Sequence, residues 1–103
     1  MPVKVVLLPS AREDYVSAKQ WYEEQRKGLG YQFKQSVVSK IEELADRPHQ
    51  YPVVLKSIRK ISVKRFPYLI YFFIDKERSR IIIYGILHGK RNPAIIKRRS
   101  TST

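Results

Sequence analysis

The chain has no cysteine among its 103 residues. Disulfides and thiolate zinc sites are thereby excluded, and an intracellular, cytoplasmic home is expected. It has two histidines far apart in sequence, so closely spaced histidine ligands are lacking too, and no metal or cofactor is expected. No apolar run approaches the ~18 residues of a membrane span. The run 5–8 stops at Pro9 before it can form the core of a secretion signal. Acidic residues are scarce: nine, against 21 lysines and arginines, for a net charge of +12. What the chain does have is 43% apolar residues, enough for one modest core.

The charge is unevenly placed. Residues 1–50 hold eight Lys/Arg and seven Asp/Glu, whereas residues 51–103 hold thirteen Lys/Arg against Asp75 and Glu77 alone. A half-chain with a net charge of +11 is suited to meeting something acidic and poorly suited to self-association.

Periodicity gives the elements. Residues 3–8 are short and β-branched and read as a strand. Ser10 and Glu13 have the spacing of a capping box. Ala11, Tyr15, Ala18 and Tyr22 then share one helical face up to Gly28-Leu29-Gly30, where a glycine permits positive φ. Phe33, Val37, Ile41 and Leu44 form the stripe of a second helix, which Pro48 stops. Adjacent carboxylates at Glu23-Glu24 and Glu42-Glu43 point in different directions and read as solvated. Residues 53–65 read as β, with Arg59, Ile61, Val63 and Arg65 on one parity and Lys60, Ser62 and Lys64 on the other. Segments 68–74 and 80–88 are apolar at both parities, as strands buried on two faces are. The expected fold is α+β, in the order β-α-α-β-β-β. A helical hairpin packs on one face of a small, mainly antiparallel sheet, and the basic residues lie on its open face or edge. Residues 1–96 form one domain, and 97–103 form a basic tail expected to be mobile.

Several motifs fall in one order: Trp21-Tyr22-Glu23-Glu24, Gly28-Leu29-Gly30 with Phe33, Pro48, Tyr51-Pro52, Arg59, Arg65-Phe66-Pro67-Tyr68, and His88-Gly89-Lys90-Arg91-Asn92-Pro93. In this order and spacing the chain resembles the RelE/ParE superfamily of toxins from bacterial type II toxin–antitoxin modules. The resemblance implies the fold just described, an antitoxin partner with an acidic segment, and one of two activities. RelE-like members cut messenger RNA on the ribosome; ParE-like members poison DNA gyrase.

The cleavage reading needs an acid, a base and a phosphate cradle. His88 with Arg65 and Arg91 can supply them, since imidazole titrates near neutrality and guanidinium matches phosphate oxygens. Arg59, Lys64, Lys90, Arg91, Lys97, Arg98 and Arg99 are the candidates for binding a target or phosphate. Ribonuclease-type members carry a tyrosine near the end of the last strand or the C-terminus. Here Gly89 follows His88 and no tyrosine lies beyond Tyr84, although Tyr68 or Tyr71 can substitute. The resemblance therefore favours a ParE-like growth inhibitor acting on gyrase over a ribosome-dependent endoribonuclease. A third reading is an inactive relative that only binds nucleic acid through its basic half.

Overall fold

Pro9 decides where the first helix begins. The computed structural model describes residues 3–101, and in it β1 (Lys4–Leu7) leads directly into α1 (Pro9–Gln25). Proline lacks an N–H and has φ pre-set for a first helical position. The helix therefore starts on it, with Leu8 in extended conformation at the N-cap, and no side chain caps it. The expected Ser10–Glu13 capping box is not formed, because Ser10 already lies inside the first turn.

The turn from α1 to α2 (Leu29–Asp46) needs both of its glycines. Gly28 sits at φ 90°, a left-handed conformation that side chains disfavour. At Gly30 a Cβ would lie 2.8 Å from the Lys19 carbonyl, so the helices cross there at backbone contact. Glu23 is not merely solvated. Its carboxylate accepts from the Gly28 N–H at 3.0 Å and the Gly30 N–H at 3.0 Å, and these bonds hold its pKa below the usual carboxylate value. Glu43 is engaged too, by Lys40 Nζ and the Tyr51 hydroxyl, both at 3.1 Å.

A 3-10 turn at Pro48–Gln50 leads to β2 (Val53–Leu55), β3 (Ile58–Ser62), β4 (Tyr68–Asp75) and β5 (Arg80–His88). The segment expected as one β stretch over 53–65 is thus a tight hairpin, folded back at Lys56 with φ 49°. The sheet order is β1-β5-β4-β3-β2, with β1 parallel to β5 and the other neighbours antiparallel. This is the α+β architecture read from the sequence, with one more strand and a third helix.

The helical hairpin covers one sheet face. Phe33, Val37 and Leu44 of α2 and Ala11 and Ala18 of α1 bury Ile61, Val63, Ile70, Phe72, Ile81, Ile83 and Ile86. Phe33 anchors this layer, its ring 5.2 Å from those of Tyr22, Phe66 and Tyr68. The opposite face is not open along its whole length. Residues 97–101 of the expected tail belong to a helix, α3 (Ala94–Thr101), which lies on that face with Ile96 fully buried among Ile58, Tyr71, Tyr84 and Leu87. Ser102 and Thr103 of that tail lie outside the described residues.

Two devices make room for α3. The β4–β5 pairing passes from Gly85 to Ile83 and leaves Tyr84 as an extra, bulged residue. A Cβ on Gly85 would lie 2.6 Å from Ile96 Cδ1 and 2.8 Å from Arg99 Nη1, so any larger residue displaces the tips of the two side chains that seat the helix. Arg99 then grips Asp14 of α1 with two hydrogen bonds, 2.7 and 3.1 Å, and donates to the Tyr84 carbonyl. No helix among the described residues is long and apolar enough to cross a membrane.

Candidate target-binding surfaces

The basic residues singled out in the sequence are divided among separate places. His88 ends β5 and pairs in register with Tyr68, their rings 5.4 Å apart. Both line a cleft of about 400 Å³ between α1 and the end of the sheet, with Glu13, Ser17, Trp21 and Arg91. His88 Nδ1 accepts from the Lys90 N–H at 3.1 Å, so the proton of the neutral ring is on Nε2. Burial raises the Tyr68 pKa, with Arg91 opposing and Asp14 adding to the effect, so its phenol stays protonated. Tyr71 is buried beneath α3 and does not reach the cleft.

Arg65 is not in this cleft. The loop after β3 turns through φ 72° at Arg65 and brings it, with Lys64, into a groove along α2 beside Gln32, Gln35, Ser36 and Ser39. The expected constellation of His88, Arg65 and Arg91 is therefore not assembled: α1 walls the cleft of His88 and Arg91, and α2 walls the groove of Arg65. Arg59 points its Nη1 at the carbonyls of Tyr51 (2.6 Å) and His49 (3.2 Å), which ties the 3-10 turn to the sheet. Lys90, Arg91, Lys97 and Arg98 are exposed, and Arg99 is the latch to Asp14.

A third surface lies outside the residues that the sequence pattern points to as one site. The β2–β3 and β4–β5 turns meet at the far end of the sheet from His88 and enclose a basin of about 710 Å³. Phe73, Ile82 and Tyr84 form its floor, with the two aromatic rings edge to face at 6.5 Å. Lys56, Arg59, Lys76, Arg78 and Arg80 line it against Asp75 and Glu77. Asp75 accepts from Arg80 Nε at 2.9 Å and from the Arg78 N–H, and its pKa is lowered by these contacts. The signal was present in the sequence, since Lys76, Arg78 and Arg80 alternate along the turn into β5. What it could not show is that Lys56 joins them. Among the described residues no group of three or more acidic or histidine side chains is placed to hold a metal ion.

Residues 5–93 match the family model described as the ParE toxin of the type II toxin–antitoxin system parDE. No curated protein matches the sequence significantly. Among solved structures, the chain superposes on a chain of the chromosomal ParDE system from P. aeruginosa with a TM-score of 0.72 at 17% identity, covering 84% of this chain and 95% of that one. A mutant of the E. coli toxin RelE in the free state gives 0.71 at 10% identity, over 99% and 97% of the two chains. The toxin–antitoxin complex RelBE2 from Mycobacterium tuberculosis gives 0.61 at 19% identity, over 85% and 99%. At these identities the structural likeness speaks to the fold.

Proposed function

Because the chain belongs to the ParE toxin family of type II toxin–antitoxin systems, we propose that it inhibits growth by binding DNA gyrase and is neutralised by a cognate antitoxin with an acidic segment. The separation of His88 from Arg65 supports binding over RNA cleavage. A cleaving site needs its acid, base and phosphate clamp within hydrogen-bond reach of one phosphate. Here the two candidate arginines lie in different grooves, and His88 engages Nδ1 in accepting a backbone N–H. The basin offers instead what a binding surface uses: an aromatic floor, a cationic rim and few compensating carboxylates.

In this reading Lys56, Lys76 and Arg78 contact an acidic part of the gyrase–DNA complex. Lys64, Lys90, Lys97 and Arg98 add to the long-range field that steers the encounter. The antitoxin supplies the carboxylates that the toxin lacks, so their association is salt-sensitive. The protein acts in the cytoplasm, without cofactor or metal.

Induced expression followed by genome-wide mapping of DNA breaks, with primer extension on messenger RNA in the same cells, tests the assignment. Breaks at gyrase sites with intact messages are expected. In-frame cuts in messages that disappear with His88→Ala would assign the chain to ribosome-dependent cleavage instead.

A further inference from the structure

Strand β1 stops halfway along its neighbour. It pairs with β5 only from Arg80 to Ile83, and the Leu8 N–H closes the ladder on the Ile83 carbonyl at 3.1 Å. Pro9 then turns the chain into α1, while β5 runs on to His88. Among the described residues no strand lies beside the outer edge of residues 86–88, and the α1 cleft lies over that edge.

The backbone groups on this edge follow from the pairing with β4. The Gly89 N–H donates to the Pro67 carbonyl at 2.8 Å, which fixes the alternation. Leu87 directs its N–H and carbonyl, and Gly89 its N–H, at β4, whereas Ile86 and His88 direct theirs outward. Of those four outward groups two are occupied. The Ile86 N–H donates to Asp14 Oδ2 at 3.1 Å, and the His88 carbonyl accepts from the Arg91 N–H at 2.9 Å. The Ile86 carbonyl and the His88 N–H are left without a hydrogen-bond partner among the described residues.

That remaining pair is specific. An antiparallel strand engages the N–H and the carbonyl of the same residue, and at both Ile86 and His88 one of the two is already occupied. A parallel strand engages the carbonyl of one residue and the N–H two residues on, with a single residue of its own. The free pair is therefore a parallel rung centred on Leu87, in the direction β1 already runs.

We propose that this rung is the docking site for an extended segment of the antitoxin, which adds to β5 in parallel as a continuation of the strand that β1 begins. The proposal rests on the toxin–antitoxin reading above and names where on the toxin the segment sits. Charge sets its chemistry and polarity. A strand parallel to β5 runs toward exposed Lys90 and Arg91, so a carboxylate follows its pairing residue. The residues flanking the pairing residue face α1, where Ala18, Tyr68 and the half-exposed Trp21 receive apolar side chains.

The test uses the toxin, alone and co-expressed with a candidate antitoxin, a short acidic protein from a reading frame adjoining its gene, and follows amide hydrogen exchange residue by residue by NMR. The His88 amide is expected to exchange rapidly in the free toxin and at least about 100-fold more slowly in the complex. The Ile86 amide, bonded to Asp14 in both, and the Val54 amide on the opposite sheet edge are expected to change little. Arg91→Glu, at an exposed position, is expected to leave the toxin folded and to weaken the complex at least tenfold. A stable complex in which the His88 amide exchanges as in the free toxin, or in which protection falls on β2 instead, overturns the proposal. Failure of the two proteins to associate at all overturns the antitoxin reading on which it rests.

Discussion

The two faces of the sheet are covered in different ways, and the contrast separates what makes the fold from what is available to partners. On one face a 38-residue hairpin, from Pro9 to Asp46, brings two apolar stripes onto the sheet and interlocks the rings of Tyr22, Phe66 and Tyr68 around Phe33. On the other, an eight-residue helix inserts Ile96 and is fastened by one arginine. A helix of two turns is not stable by itself, so α3 holds its place through tertiary contacts alone. Where α3 ends, the same face becomes the basic basin. The His88 and Arg80 ends of β5 are about 27 Å apart along the strand, so the cleft and the basin can be engaged by different partners.

The largest expected effect lies on the hairpin face. Phe33→Ala removes a fully buried ring and is expected to cost about 3–5 kcal/mol, with cooperative loss of the whole fold in a urea titration. An equally cooperative but far smaller loss would mean that the hairpin is not the main source of stability. On the α3 face, Gly85→Ala forces a Cβ against Ile96 and Arg99, and it is expected to cost about 1–3 kcal/mol. The loss should be confined to α3, seen as faster amide exchange over 94–101 with the hairpin amides unchanged. Asp14→Asn weakens the latch and is expected to cost about 1–2 kcal/mol in the same titration, again with α3 the first element to open.

Smaller still is the effect of pH at the α1–α2 turn. The Gly28 and Gly30 N–H groups hold the Glu23 carboxyl below its ordinary value of 4.5. Its contribution to stability is therefore complete above that value and is lost as pH falls through the lowered one. Glu23→Gln is expected to melt below the wild type at neutral pH, and the two melting temperatures are expected to converge in acid. Parallel melting curves at every pH would remove Glu23 from the turn. Charge reversal of Lys56 and Arg78 in the basin is expected to leave stability within about 0.5 kcal/mol, since both are exposed.

The hairpin face was legible because its stripes are local. Phe33, Val37, Ile41 and Leu44 announce their helix within twelve residues of sequence, and Gly28 marks the turn before it. The α3 face was not. Residues 94–101 hold too little apolar periodicity to read as a helix, and the residue that fastens it, Asp14, lies 85 positions from Arg99. The same limit applies to the site residues. That Tyr68 meets His88 follows from strand register, and that Arg65 leaves them follows from one positive φ. Neither is encoded in residue spacing. The capping box failed for a local reason that the sequence did contain, namely that Pro9 fills the first helical position.

Growth inhibition on induced expression tests most directly the proposal that the toxin acts through the basin. Lys56→Glu/Lys76→Glu/Arg78→Glu is expected to fold as the wild type does and to lose toxicity, whereas His88→Ala is expected to stay toxic. A toxic triple variant beside a harmless His88→Ala would contradict the basin's role and return the activity to the cleft.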